Sequence, residues 1–212
     1  STDYVQVSEY GDVSLTGRSL LEVSASEPGQ ALLRGQNVAI AESSAVLAET
    51  LASSLSSNVS VGLIDIQATE TVQVSGFDLG PAAPPFHSYL SVDVAPGAVS
   101  PGGEIAITAR TLQVDAGGQL GANTFGGGNA GHLNLDVSER TFLRGGSALG
   151  PSGLFTTADT LASGQGGQVI LETDRLVMEQ GAQIFASSFN QATSGSVSIS
   201  ADQVSLTGTG EF

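Results

Sequence analysis

Apolar and polar residues alternate with a period of two along most of the chain, in short runs that end at Gly, Asn, Asp or Ser. This alternation predicts β-strands with one buried and one solvated face. Two copies of the pattern, beginning at Gly103 and Gly167, align without a gap, and their apolar positions coincide. The chain is therefore predicted to be an all-β protein built from internal repeats.

Further copies begin at Gly62, Gly131 and Gly195, and two degenerate copies precede them. A single copy has too few strands to bury its apolar face, whereas stacked copies bury it. We therefore predict a parallel β-helix of about seven rungs, in which each copy forms three short strands and pairs in parallel with its neighbours at ~4.8 Å. Glycines at the start and near the middle of a copy are expected at corners with positive φ.

The alternation also predicts which side chains face inward. In the copy from Gly131, we expect Val137 and Phe142 to be inward and a short insertion to follow them. In the copy from Gly62, the residues expected inward are Ile64, Ile66, Ala68, Val72 and Val74. Residues 43–54 contain good helix formers after a Ser, so a helix is the alternative there to a strand with an adjoining loop.

Residues 1–212 are expected to form a single β-helix domain, as a fragment of a longer repeat protein. Two stretches, 76–102 and 150–166, are predicted loop excursions, and loops on a rigid scaffold often carry binding functions. In the first of them, we expect His87 to pack locally against Phe86 and Tyr89. The open ends of the predicted stack are edge strands, which favours end-to-end self-association.

Charge restricts the choice of partners. The chain has 21 acidic residues against six basic ones, all of them Arg, and a net charge of −15. This charge opposes binding to nucleic acid, which requires cations on the protein. No apolar stretch is long enough for a membrane helix, so no membrane insertion is expected. Since cysteine is absent, the sequence excludes disulfides and thiolate chemistry.

Stacked copies place equivalent outward residues in columns. One column contains Glu104 and His132, and another, two residues along the strand, contains Asp136 and Glu172. The interpretation without a function is that acidic residues lie side by side by chance on the solvated face of an acidic protein. Two alternatives are a calcium site at Asp136 and Glu172, and an acid/base pair acting on a polysaccharide. We expect no catalytic residue and, calcium apart, no cofactor. Arg110, Arg140 and Arg175 are expected to pair with nearby acids or to cover apolar edges.

Three sequence features carry a family resemblance: the pattern G-x-I-x-I-x-A-x-x-L-x-V-x-x-G-A-x-I, the segment TFGGGNAG at 124–131, and PSGLFTTA at 151–158. Over most of its length the chain resembles the filamentous haemagglutinin-like adhesins exported by two-partner secretion, especially long cyanobacterial repeat proteins. The resemblance implies a right-handed parallel β-helix, export through an outer-membrane partner, and adhesion or aggregation at the cell surface. Residues 1–212 do not include the amino-terminal secretion domain that such proteins use to engage the transporter, and we expect them to be a fragment of the exported protein.

Three functions are consistent with these features. The first is a secreted or cell-surface rod that is structural and adhesive and contacts a cell-surface glycan or protein through its outer faces and loops. The second is a carbohydrate-active β-helix, a polysaccharide lyase or hydrolase, that uses Glu104, His132, Asp136 and Glu172. The third is a fibre unit that assembles end to end.

Overall fold

The computed structural model describes residues 9–52, 61–78 and 86–208, and within these residues the chain is all-β and contains no helix. Strands account for most of this part of the chain. In chain order they are β1 (Val13–Leu15), β2 (Leu20–Glu22), β3 (Gln30–Ala41), β4 (Ala45–Leu47), β5 (Leu63–Ser75), β6 (Phe77–Asp78), β7 (Phe86–His87), β8 (Tyr89–Ser91), β9 (Glu104–Asp115), β10 (Gln119–Gly121), β11 (His132–Arg144), β12 (Gly146–Ser147), β13 (Gly150–Pro151), β14 (Gly153–Phe155), β15 (Gln168–Glu179), β16 (Gln183–Phe185) and β17 (Ser196–Thr207).

The strands form two extended parallel sheets. The large sheet has the order β1-β3-β5-β9-β11-β15-β17, and the small sheet has the order β2-β4-β8-β10-β14-β16. Along the chain, each of the first six large-sheet strands is followed by a small-sheet strand, so every complete repeat contributes one strand to each sheet. A third ladder of single parallel bridges joins Ala25, Thr50, Val94, Thr124, Ala158 and Ser188. This arrangement is compatible with a parallel β-helix.

Equivalent apolar residues of successive repeats lie next to one another. Ile64 pairs with Ile105, Ile105 with Leu133, and Leu133 with Val169, and all four side chains are fully buried. The inward positions predicted for the copy from Gly62 are confirmed, because all of them belong to the buried core. The inward aliphatic side chains of both sheets belong to one buried core cluster, and burial of this surface holds the two sheets together.

The prediction of three short strands per repeat is wrong. Residues expected to form two short strands form one strand of 12 or 13 residues, with a register irregularity inside it, as between Val137 and Arg140. Residues 109–111 and 173–175, at this position, contain neither Gly nor Pro. The backbone can therefore stay extended instead of making a tight turn. The expected third strand is present as the short small-sheet strand of each complete repeat, such as β10.

The irregularity also changes which residues of β11 face inward. It lies before Phe142, not after it, so Thr141 and Leu143 are the buried residues. Phe142 is half-buried, and the guanidinium carbon of Arg140 lies 5.7 Å from its ring centroid. The expectation that Phe142 faces the core is therefore wrong, because an extra residue inserted upstream reverses the face of every residue after it.

The segment with helical potential is extended. Within residues 43–52, β4 belongs to the small sheet and Thr50 belongs to the third ladder. Residues 53–54 lie outside the described residues. Parallel pairing of β4 with strands on both sides supplies the backbone with hydrogen-bond partners that outweigh its modest helix propensity.

Both inserted hairpins leave the stack at the same corner. The chain turns from the large to the small sheet through a glycine of positive φ at every such turn except the one between β3 and β4. The expectation is confirmed at Gly117 and Gly181, with φ of 89° and 80°. In two other repeats the corner glycine is Gly76 or Gly145, and a two-stranded antiparallel hairpin follows it before the chain joins the small sheet. We call this position the hairpin corner.

Each of the two predicted loop excursions is only partly a loop, because each also contains residues that pair in the sheets. In 76–102, the hairpin of β6 and β7 is followed by β8 in the small sheet and by a bridge at Val94. The prolines at 81, 84 and 85 lie outside the described residues. In 150–166, β13 completes the second hairpin, β14 belongs to the small sheet, and the loop proper follows the bridge at Ala158.

The glycines that start each copy serve a different purpose from the one expected. Gly103, Gly131 and Gly167 do not have positive φ. Instead, a Cβ on Gly131 would overlap the carbonyl oxygen of Gly103, and a Cβ on Gly167 would overlap that of Gly131. These glycines therefore allow a close approach of backbones between successive repeats, and the positive-φ explanation is wrong for them.

We expect Gly131→Ala to lower the free energy of unfolding by at least ~2 kcal/mol, because the new methyl group would press on backbone that cannot move without disturbing the ladder. Gly127→Ala is the matched control, since its Cβ would meet only ordinary contacts at 3.4 Å or more and its φ is not positive. Chemical unfolding of both variants checks this. Equal stabilities of the two variants would contradict the close-approach explanation.

Candidate functional site

The outer face of the large sheet carries the four candidate residues in the predicted columns. His132 pairs with Glu104 on one side, and Asp136 pairs with Glu172 on the other. Parallel register places paired Cα atoms of neighbouring strands at a spacing of ~4.8 Å, so the Asp136 and Glu172 side chains project side by side. Both are exposed, as is His132, whereas Glu104 is half-buried.

An open acidic depression surrounds Asp136 and Glu172. Its volume is about 260 Å³. Asp174 and Asp202 also line it, together with hydroxyl groups such as that of Ser200. Asp174 and Asp202 were not predicted, because the predicted columns cover only the first half of each repeat. They occupy equivalent positions in β15 and β17, one residue beyond that half, so extending the columns would have found them.

Some side chains of this face form hydrogen bonds or ion pairs with one another. The Asn134 side-chain amide donates to Glu104 Oε1 at 3.4 Å. Arg110 lies 3.5 Å from both Glu70 and Glu139, and all three side chains are 41% exposed or more. The expectation that Arg110 pairs with nearby acids is confirmed, but exposed pairs of this kind contribute little to stability.

The chemistry open to this face is limited by its geometry. Calcium takes six to eight oxygen ligands. In the part of the chain that the structure describes, no group of three or more His, Asp or Glu side chains is placed to hold a metal ion. Calcium at Asp136 and Glu172 therefore stays a prediction. What the face does supply is an open row of hydrogen-bond acceptors and negative charge.

A second polar arrangement was not predicted. The residue before each bridge of the third ladder is polar in every repeat, and we call this column the polar ladder. Its members are Ser24, Glu49, Asp93, Asn123, Thr157 and Ser187. The sequence signal that could have found it is this recurrence of polar residues one position before the bridge.

Side chains of the polar ladder accept hydrogen bonds from the backbone of the next repeat. The Asn123 backbone N–H donates to Asp93 Oδ1 at 2.6 Å, and the Thr157 N–H donates to Asn123 Oδ1 at 2.9 Å. The Glu49 N–H donates to Ser24 Oγ at 3.0 Å in the same way. The ladder therefore links consecutive repeats where the sheet pairing is reduced to single bridges.

Asp93 is the buried acid of this ladder. Its Oδ2 accepts a hydrogen bond from the Tyr89 hydroxyl at 2.6 Å, and the Tyr89 ring covers Gly121, where a Cβ would overlap it. Burial raises the pKa of Asp93 to about 6, and the negative charge of Glu49 adds to this, while hydrogen bonds from Tyr89 and Asn123 offset only part of it. Burial and the nearby Asp93 carboxylate also raise the pKa of Tyr89, which therefore stays a donor.

The other histidine of the chain, His87, packs as expected. Its ring stacks on Phe86 with centroids 6.0 Å apart, and it meets the Tyr89 ring edge-on at 5.4 Å. Burial lowers the pKa of His87 from its usual value. This residue belongs to the local packing of the first hairpin.

Asp93 predicts an unusual pH dependence. Because the folded pKa of about 6 lies above the ordinary 3.8, the folded state binds the proton more tightly, and stability from this group rises as pH falls through 6. Relative to Asp93→Asn, the wild type should gain ~2 kcal/mol in free energy of unfolding between pH ~7.5 and ~4.5. Urea unfolding of both proteins at several pH values measures this. A difference between them that stays constant with pH would contradict the assignment.

Comparison of the chain with protein-family models, with curated proteins and with solved structures finds no match. The resemblance to haemagglutinin-like adhesins therefore remains a prediction from the sequence. The described residues include no helix long and apolar enough to cross a membrane.

Proposed function

We propose that the chain is a right-handed parallel β-helix of about seven turns, and that each complete turn is made of one large-sheet strand, one small-sheet strand and one bridge of the third ladder. The alternation of the chain between two in-register parallel sheets supports this. Right-handedness follows the rule that parallel strand crossovers have this hand in about 98% of cases. At a spacing of ~4.8 Å the rod is roughly 30 Å long.

The function that we propose for this rod is structural and adhesive, at the cell surface or outside the cell. The observation that carries the proposal is the aliphatic interior, a single core cluster that continues through the stack. A filled interior leaves ligand contacts to the outer faces and loops, and repetition presents these surfaces in series, which favours multivalent binding. The sequence resemblance supports export through an outer-membrane partner and a glycan or protein as the ligand.

Adhesion is tested with beads that carry the purified chain. Such beads should be retained on intact cells, or on surfaces coated with mixed polysaccharides, several times more than beads coated with serum albumin, which is also acidic. The assay is run with calcium and with chelator, and with Glu172→Gln beside the wild type. If the wild type is retained only when calcium is present, and if calcium does not restore retention of Glu172→Gln, the metal site is assigned to this face.

Two results would contradict the adhesive function. One is retention no higher than that of the albumin beads. The other is release of sugar reducing ends or unsaturated products that stops in Asp136→Asn and Glu172→Gln, which would make the outer face catalytic.

End-to-end self-association is a second candidate function, and the exposed inward face of β17, an edge strand of the large sheet, favours it. Val197 and Ile199, inward residues of β17, are 44% and 40% exposed, whereas their counterparts in β15, Val169 and Leu171, are fully buried. At the opposite edge of the large sheet, Val13 lies in the same column as Val204. The first strand of a second copy would therefore continue both the ladder and the apolar column, in a contact that repeats without closing.

We expect the average mass of the wild type to rise with concentration above the 21.3 kDa of one chain. Leu206→Lys should hold it at that mass, because a charge pointing inward from an edge strand opposes further pairing. Ser205→Lys, on the other face of the same strand, is the control and should still associate. Sedimentation velocity checks all three. A wild type that stays monomeric at high concentration would exclude this function.

A further inference from the structure

A groove lies between two loops that connect the third ladder to the large sheet. The loops follow the bridges at Ala158 and Ser188, and the groove between them has a volume of about 740 Å³. This falls in the size range of sites that bind small ligands. Its lining residues are Thr160, Ala162, Ser163, Phe189, Asn190, Gln191 and Ala192.

An aromatic ring forms one wall of the groove. Phe189 is 56% exposed, and its ring stacks on that of Phe185 at 5.8 Å between centroids, with planes 19° apart. Phe185 in turn pairs in register with Phe155 in the small sheet. The backing ring therefore fixes the orientation of Phe189, which leaves apolar surface facing solvent.

One amide side chain holds the two loops in place. Asn190 Nδ2 donates to the carbonyl oxygens of Ala162 and Gly164, at 2.9 and 3.0 Å. Its Oδ1 accepts from the Ser188 hydroxyl and from the Ala192 N–H, both at 2.7 Å. These four bonds shape the groove before any ligand arrives, which lowers the cost of ordering it on binding.

The lining is uncharged on a strongly acidic protein. None of the lining residues is ionisable, although the chain carries a net charge of −15. The nearby Asp159 uses a carboxylate oxygen to accept from the Leu161 N–H at 3.1 Å. An anionic polysaccharide would be repelled by the overall charge, and a cationic ligand would find no carboxylate among the lining residues.

We propose that this groove binds a neutral oligosaccharide. A pyranose ring has an apolar face of C–H groups that fits the open surface of Phe189, and its hydroxyl groups match the hydroxyl and amide groups of Thr160, Ser163 and Gln191. This inference rests on the proposed adhesive function and deepens it, because it names the ligand class and the surface that takes it.

The test uses a panel of soluble neutral gluco-, manno- and galacto-oligosaccharides, with binding followed by ligand-observed NMR and affinities obtained by titration. Phe189→Ala should weaken binding of any positive member by at least about tenfold. Phe189→Leu, which keeps apolar packing but removes the aromatic ring, should weaken it as well. Phe125→Ala is the matched control, because Phe125 is 40% exposed at the equivalent position two repeats earlier and does not line the groove. It should bind like the wild type.

The outcomes separate the groove from the function on which it rests. If beads adhere but no neutral oligosaccharide binds, or if all three variants bind equally, the groove proposal is overturned and the adhesive function stands. Selective binding of acidic oligosaccharides would also overturn it. If the beads do not adhere and an oligosaccharide still binds with the expected loss in Phe189→Ala, the groove is a glycan site and the adhesive function fails.

Discussion

Parallel backbone pairing between successive repeats is the constraint on which the rest of the structure depends. Strands of the large sheet pair in register, so each residue lies beside its counterpart at a spacing of ~4.8 Å. Like side chains must then tolerate like neighbours. Aliphatic residues satisfy this on the inside, as Ile105, Leu133 and Val169 do. Where two backbones come closest, as at Gly103 and Gly131, only glycine fits.

The same spacing determines how the polar ladder works. Where regular strands give way to single bridges, backbone N–H groups lose sheet partners, and buried donors need others. Side-chain oxygens of Asp93 and Asn123 supply them to the following repeat. Asn123 and Ser24 do so as neutral groups. Asp93 does so at the cost of burying a charge, which is why its pKa is raised.

Much of this architecture could be predicted from the sequence, since period-two alternation determines which face a residue occupies. It gave the inward columns and the register that joins Asp136 to Glu172. The alternation does not show where the register between two strands shifts. The predicted strand lengths and the predicted orientation of Phe142 are therefore wrong. The polar ladder and the groove lie in segments without alternation. Their geometry depends on hydrogen bonds, such as those of Asn190, that no periodic pattern encodes.

The two hairpins are inserted at the same corner, where added residues change the surface of the molecule but not its core. After Gly76 and after Gly145 the chain leaves the stack and then rejoins the small sheet in register, so the added length leaves the inner columns as they are. Residues inserted at the hairpin corner therefore do not have to match an equivalent side chain in the neighbouring repeat, as interior residues do. Single repeats can change their surface there while their neighbours stay the same, which makes this corner the natural place for the protein to diversify and for new segments to be grafted.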